Sequence, residues 1–166
     1  MKLSYNNIYI SMKKTFIILS LFLILSCQKS QTLKGDLYFK LVNVISPTGF
    51  NEAQVSKIKK TLDTIDLNKI KDVNLKKMYQ NLEQLQKHKL LQSPSIKIKV
   101  VEKDIQTVYL SKIIYQKIEK YSLDYLTINK TKLQVELKVK ELEKDLYYSE
   151  EILSLKEVQG QTYFDK

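Results

Sequence analysis

Arginine and tryptophan are absent from this 166-residue chain, and cysteine and histidine occur once each. A single cysteine excludes an internal disulfide framework and a cysteine-based zinc site. A single histidine, His88, removes most histidine-dependent catalysis. With only three glycines (Gly35, Gly49, Gly160) and two prolines, the chain has no material for a phosphate-cradling loop, a glycine linker or a collagen-like repeat. All 28 basic residues are lysine and the net charge is +10. Without arginine, however, the commonest bidentate contact to phosphates and base edges is missing. No nucleic-acid partner is therefore expected, and the lysine excess speaks more of solubility than of an acidic ligand.

What is present is enough apolar material to fold. A 43% hydrophobic fraction is too high for a disordered chain. The length fits one domain. The most organised stretch lies near the start. Lys13 and Lys14 follow Met12, and residues 16–25 are apolar except for Ser20. That run is about half the roughly 20 residues a membrane-spanning helix needs, but it suits the 7–15 residues of a signal-peptide core. Met12 is the better physical start, because residues 1–11 make an unusually long leader before the charged pair.

The run ends in Ile24-Leu25-Ser26-Cys27. This resembles the lipobox of bacterial lipoproteins: an aliphatic residue three positions before the cysteine and a small one directly before it. The resemblance implies a diacylglyceryl thioether on Cys27, cleavage between Ser26 and Cys27 by signal peptidase II, and membrane attachment through acyl chains. Residues 1–26 are then a signal peptide, 27–34 a lipidated cysteine with a polar tether, and 35–166 a single domain. Removing three lysines and no acid leaves the chain from Cys27 at +7. The leader and lysine-rich body are similar to small lipoproteins of the Bacteroidota. No acid occurs between Cys27 and Asp36, which favours an outer-membrane anchor facing the periplasm over surface display. In the same setting Asp63-Thr64-Ile65 resembles the Asp-Thr/Ser-apolar acceptor for O-glycosylation, which would place a glycan on Thr64.

Behind the leader, Leu37, Phe39 and Leu41 alternate with polar residues as in a strand, until Pro47 and Gly49 break the pattern. Asn51 caps a predicted helix carrying Val55, Ile58, Leu62 and Ile65. A second helix follows on Leu75, Met78, Leu82 and Leu85 and ends near Leu90. Ile96, Ile98 and Val100 alternate with Lys97 and Lys99 in a strand that returns at residues 107–110. Ser111 caps a helix with Ile114, Ile118 and Tyr121. Residues 133–140 alternate strictly. The β-branched content there selects a long hairpin with Tyr147 and Tyr148 over a helix on Val135, Val139, Leu142 and Leu146. Gln159-Gly160 turns the chain into a last strand at 162–164. The fold class is α+β, an antiparallel-rich sheet with helices packed on one face.

Chemistry is sparse. His88 stands between Lys87 and Lys89, which disfavours a bound cation, and reads as a surface residue at a helix end. Glu141, Glu143, Asp145, Glu150 and Glu151 are the densest acids, yet they alternate with lysines and lack the glycine of a calcium loop. No activated serine is found, and no metal, cofactor or catalytic residue is assigned. Tyr38, Tyr109, Tyr115, Tyr121, Tyr125, Tyr147, Tyr148 and Tyr163 fit half-buried packing better than stacking on sugars. Lys97, Lys99, Lys138 and Lys140 would make one basic face if their strands were neighbours. The sequence thus predicts a non-enzymatic, lipid-anchored envelope module with a protein partner. An anchored immunity or inhibitor protein is the alternative, and an envelope glycan enzyme comes third.

Overall fold

The computed structural model describes residues 30–40, 48–101 and 104–165. Cys27, Ser26 and the rest of the leader lie outside them, as does Leu41. Along the described chain run β1 (Ser30–Lys40), α1 (Glu52–Thr64), α2 (Val73–Lys87), β2 (Ser95–Val100), β3 (Ile105–Leu110), α3 (Lys112–Ile118), α4 (Leu123–Ile128), β4 (Thr131–Glu143), β5 (Leu146–Gln159) and β6 (Tyr163–Asp165). The class is α+β with a mostly antiparallel sheet, as expected.

The sheet closes on itself. β1 pairs antiparallel with β4 over residues 30–36 and with β2 over residues 35–38. The β2–β3 and β4–β5 pairs are also antiparallel, whereas β3 and β5 run parallel. The cycle β1–β2–β3–β5–β4–β1 is a five-stranded barrel, and β6 is added parallel to the end of β1. A helical connection carrying α3 and α4 joins β3 to β4, and the β1–β2 connection carries α1 and α2.

Period-2 alternation fills the interior. Leu33 and Leu37 of β1, Ile96 and Ile98 of β2, Val108 and Leu110 of β3, and Leu133, Val135, Leu137 and Val139 of β4 form one buried cluster. Ile114 and Ile118 of α3 and Leu126 of α4 join it, so the helical connection seals the barrel where β3 stops and β4 starts. Outside the barrel, Leu82 and Leu85 of α2 pack with Leu90, Leu91, Tyr109 and Leu146, and Val55, Ile58 and Leu62 of α1 lie against that second cluster. Leu82 and Leu85 hold the predicted positions, but Leu75 is 42% exposed and outside both clusters.

Caps fix the helix ends. Asn51 forms a capping box with Gln54, Asp72 accepts from the Leu75 N–H, and Ser111 and Ser122 accept from Ile114 and Tyr125. α2 ends at Lys87 because Lys89 turns left-handed (φ 60°). The Leu90 N–H then reaches the Leu85 carbonyl at 2.7 Å and the Lys89 N–H the Gln86 carbonyl at 3.0 Å, a Schellman motif with its Leu85–Leu90 contact.

Two boundaries differ from the sequence reading. β1 begins at Ser30, so residues 30–34 are not a tether: each pairs with β4, Ser30 opposite Lys140 and Lys34 opposite Glu136. The single helix expected from Ser111 is two short ones, because Ser122 starts α4 immediately after Tyr121.

Barrel closure puts unusual demands on two residues. Gly35 is paired at once with Val100 on β2 and Val135 on β4. A Cβ there would lie 2.5 Å from the Lys99 carbonyl oxygen, a backbone atom that cannot move aside without opening the ladder. On the opposite side β5 bends around β4 through irregularities beside Leu137 and Val139. The buried Ser149 holds that bend: its hydroxyl donates to the Lys138 carbonyl at 2.8 Å and accepts from the Glu151 N–H at 3.2 Å.

Gly35→Ala is expected to lower stability by about 1–3 kcal/mol, the usual cost of forcing an extra carbon into a packed site. Urea unfolding measures it. A midpoint equal to that of the unmodified chain would show that β1 is not gripped from both sides.

Candidate functional site

A groove of about 870 Å³ runs from the outer face of β2 and β3 to the end of the barrel, where Leu37, Ile96 and Ile118 of the interior cluster also line it. That volume falls in the range of ligand sites. Its floor is Ser95 and Lys97 of β2 with Thr107 and Tyr109 of β3. α2 makes one wall, presenting Asn74, Met78, Asn81 and Gln84 at helical spacing. The β4–β5 connection, residues 143–146, bounds it, and Tyr115, Glu119 and Tyr121 from α3 and the turn after it line it too.

Tyr109 is 5% exposed, and burial pushes its pKa from 10.0 up to about 12. Among the described residues the Gln84 Oε1 atom is buried and unbonded; Gln86 Oε1 shares that condition but does not line the groove. Buried polar atoms are nearly always paired in folded proteins, and each exception calls for a physical explanation. Burial likewise raises the Tyr115 phenol, with Glu119 adding to the effect.

The residues singled out from sequence fall in several places. Cys27 and Ser26 lie outside the described residues. Thr64 is the last residue of α1, exposed, with its hydroxyl donating toward the Lys60 and Thr61 carbonyls at 3.1 and 3.0 Å. His88 is more enclosed than a surface residue: its side chain is 18% exposed and its Nε2 is 3.2 Å from Glu143 Oε1. Lys87 bonds the same carboxylate. The Lys87 hydrogen bond first, and His88 second, hold the Glu143 carboxyl below its usual range. Charge patterning along the sequence could not reveal this contact, which spans 55 residues.

The remaining acids disperse. Glu151 pairs with Lys138 at 3.0 Å, Glu150 accepts from the Tyr148 hydroxyl at 3.2 Å, and Glu141 accepts from the Asp145 N–H at 3.4 Å. Among the described residues no three His, Cys, Asp or Glu side chains gather as a metal site would require. The four lysines of β2 and β4 do not merge either, because β1 runs between those strands. Lys99 sits 4.3 Å over the Tyr163 ring, and Lys138 is taken by Glu151.

Sequence reasoning misses the groove itself. Its assignment of Tyr109, Tyr115 and Tyr121 to packing holds, since all three join or lie against the buried clusters, but it does not single out the carboxamides of α2. Their common signal, polar side chains every third or fourth residue along the margin of the Leu82–Leu85 stripe, is that of any amphipathic helix.

Replacing Tyr109 by phenylalanine (Tyr109→Phe) removes a hydroxyl that has no hydrogen bond among the described residues from a residue only 5% exposed, so the variant should unfold at the same denaturant concentration or higher, by up to about 1 kcal/mol. The sign with pH follows from linkage: the phenol ionises near 10.0 when unfolded and near 12 when folded. The folded state therefore keeps its full stability below the unfolded pKa and loses some as pH rises from there toward the folded one. Alkaline unfolding curves should separate the two proteins in that window, with the phenylalanine variant the more resistant; coincident curves would mean the phenol is already solvated.

No protein-family model, no curated protein and no solved structure matches the chain.

Proposed function

We propose that this chain is a lipid-anchored protein of the cell envelope that acts as a non-enzymatic binding module, with the β2–β3 groove as its contact surface. The anchor rests on sequence: the lysine pair at 13–14, the short apolar run after it, and the only cysteine placed directly behind Ser26. Binding rests on one observation, a groove of ligand-site volume lined by the carboxamides of α2 and by Tyr109, Tyr115 and Tyr121. A catalytic role draws no support from the acids, since Glu143, Glu150 and Glu151 each engage a different partner.

Only Gln28 and Lys29 separate Cys27 from Ser30. A chain that short reaches about 10 Å. A barrel lipidated at Cys27 therefore works at the bilayer surface, which we place at the periplasmic side of the outer membrane. The same short reach favours the second reading, an anchored inhibitor or immunity protein, because tethering concentrates it where an envelope toxin acts.

Cys27→Ala should abolish palmitate incorporation and leave a precursor that retains the leader. Metabolic labelling and intact-mass measurement test this together; unchanged labelling would overturn the anchor. Capture of the chain from its own cells after mild crosslinking then separates the readings. A secreted toxin as the stoichiometric partner would establish the inhibitor instead.

A further inference from the structure

We infer that the outer edge of β5 joins two copies of this chain, antiparallel and centred on Leu153. The inference goes beyond the binding-module reading and depends neither on the groove nor on lipidation of Cys27. β4 pairs along one side of β5 from Leu146 to Gln159. Among the described residues the other side receives β3 at residues 147–149 and the Ser111 N–H at the Ser149 carbonyl (3.1 Å), and no strand joins it after that. Towards the far end Glu157 accepts from the Tyr125 hydroxyl at 3.2 Å, so residues 150–156 form the open stretch. An open edge offers unpaired N–H and C=O groups to another strand.

Burial along the β4–β5 hairpin shows the same gap. In β4 every inward residue from Thr131 to Val139 is buried. Past Ser149, β5 has no buried residue at all. Ile152 and Leu155 pack against the interior cluster yet stay half-buried, and Leu153 is 46% exposed. α3 lies beside β5 with Ile113 69% exposed. Apolar surface is thus left along an edge that a further strand would cover.

Charge selects the occupant. Lys138 takes Glu151, and the Thr131 and Tyr125 hydroxyls donate to Glu157. Glu150 and Lys156 make no ion pair among the described residues; Glu150 accepts from the Tyr148 hydroxyl at 3.2 Å, and Lys156 stands opposite Gln134. Both lie on the outer face of the barrel. An antiparallel pair with Leu153 opposite its own mate sets Glu150 of each copy against Lys156 of the other, so the match is made twice. A register one residue away, with Glu151 opposite Lys156, would set Glu150 against Glu157 and bring like charges together. The irregularities in β5 leave Glu150 and Leu153 without a residue opposite on β4. Bulges of this kind spoil an edge for indiscriminate pairing, so the fit of side chains chooses the partner.

The test uses the full chain carrying Cys27→Ser, so that no native thiol competes, purified in non-ionic detergent. Sedimentation velocity over a series of concentrations should show a monomer–dimer equilibrium. Glu150→Lys should weaken the dimer about tenfold, since each of its two ion pairs becomes a repulsion. Adding Lys156→Glu to that variant should restore the dimer, which a merely structural loss would not allow. Residues directly opposite across an antiparallel ladder stand about 4.5–5.5 Å apart at Cα, inside disulfide range. Leu153→Cys should therefore form an intermolecular disulfide under mild oxidation, while Val73→Cys, at the more exposed start of α2, should not. Circular dichroism confirms that each variant is folded. The inference is overturned by a chain that stays monomeric at every concentration, by a charge swap that leaves the dimer weak, or by a dimer in which the thiol at position 153 does not link. Crosslinking of that thiol to a different protein in cells, with the purified chain monomeric, would give the edge to that partner and overturn self-association. None of these outcomes bears on the groove or on the anchor.

Discussion

The fold turns on the double pairing of β1 at Gly35. At that residue the strand passes from its β4 partner to its β2 partner, and for Gly35 and Asp36 it holds both. Bringing two neighbours so close leaves no room for a side chain, as the 2.5 Å approach to the Lys99 carbonyl makes plain. If β1 were held on one side only, the sheet would remain open with two free edges. Held on both, it becomes a barrel whose interior accepts alternate residues from every strand. The bend of β5, secured by Ser149 against Lys138 and Glu151, accommodates the same closure from the far side.

β3 and β5 are joined only at residues 108–110 and 147–149, so free backbone persists beyond that short ladder, and a recess on the outer face still needs side chains to wall it. The long β1–β2 connection supplies them. α1 and α2 cannot bury their apolar faces alone, and they do so against Tyr109 and Leu146 on the outside of the barrel. Packing Leu82 and Leu85 inward turns Asn74, Asn81 and Gln84 along the strand face beside them. The groove is thus a consequence of where the inserted helices must pack, and Tyr109 belongs to both: its ring lies in the cluster and its hydroxyl at the groove.

Much of the fold was legible in the residues. Strict alternation in β4 and its β-branched content selected a strand over the competing four-residue spacing, and Asn51 and Ser111 cap the helices expected of them. Three things were not legible, each for a physical reason. Residues 30–34 look like a tether because only Leu33 turns inward; the rest are polar, and the backbone ladder that makes them a strand leaves no mark on composition. Closure depends on pairings between distant segments, such as Gly35 with Val100 and Val135, and the alternation that identifies a strand does not identify its neighbour. The His88–Glu143 contact and the tyrosine–carboxamide groove likewise join segments far apart in the chain, where local charge patterning has nothing to say.

The distribution of lysine explains why composition alone misleads about a partner. Strand alternation sends Lys132, Lys138 and Lys140 to the outer side of β4, opposite Leu133, Val135, Leu137 and Val139. Once there they meet local acids, Lys132 with Asp36 at 2.8 Å and Lys138 with Glu151 at 3.0 Å, or remain in water. Such lysines make the outer face soluble without aiming it at anything. The groove differs in its charge balance, since three lysines and three acids line it. A net charge of +10 is therefore a property of the whole surface and marks no single site on it.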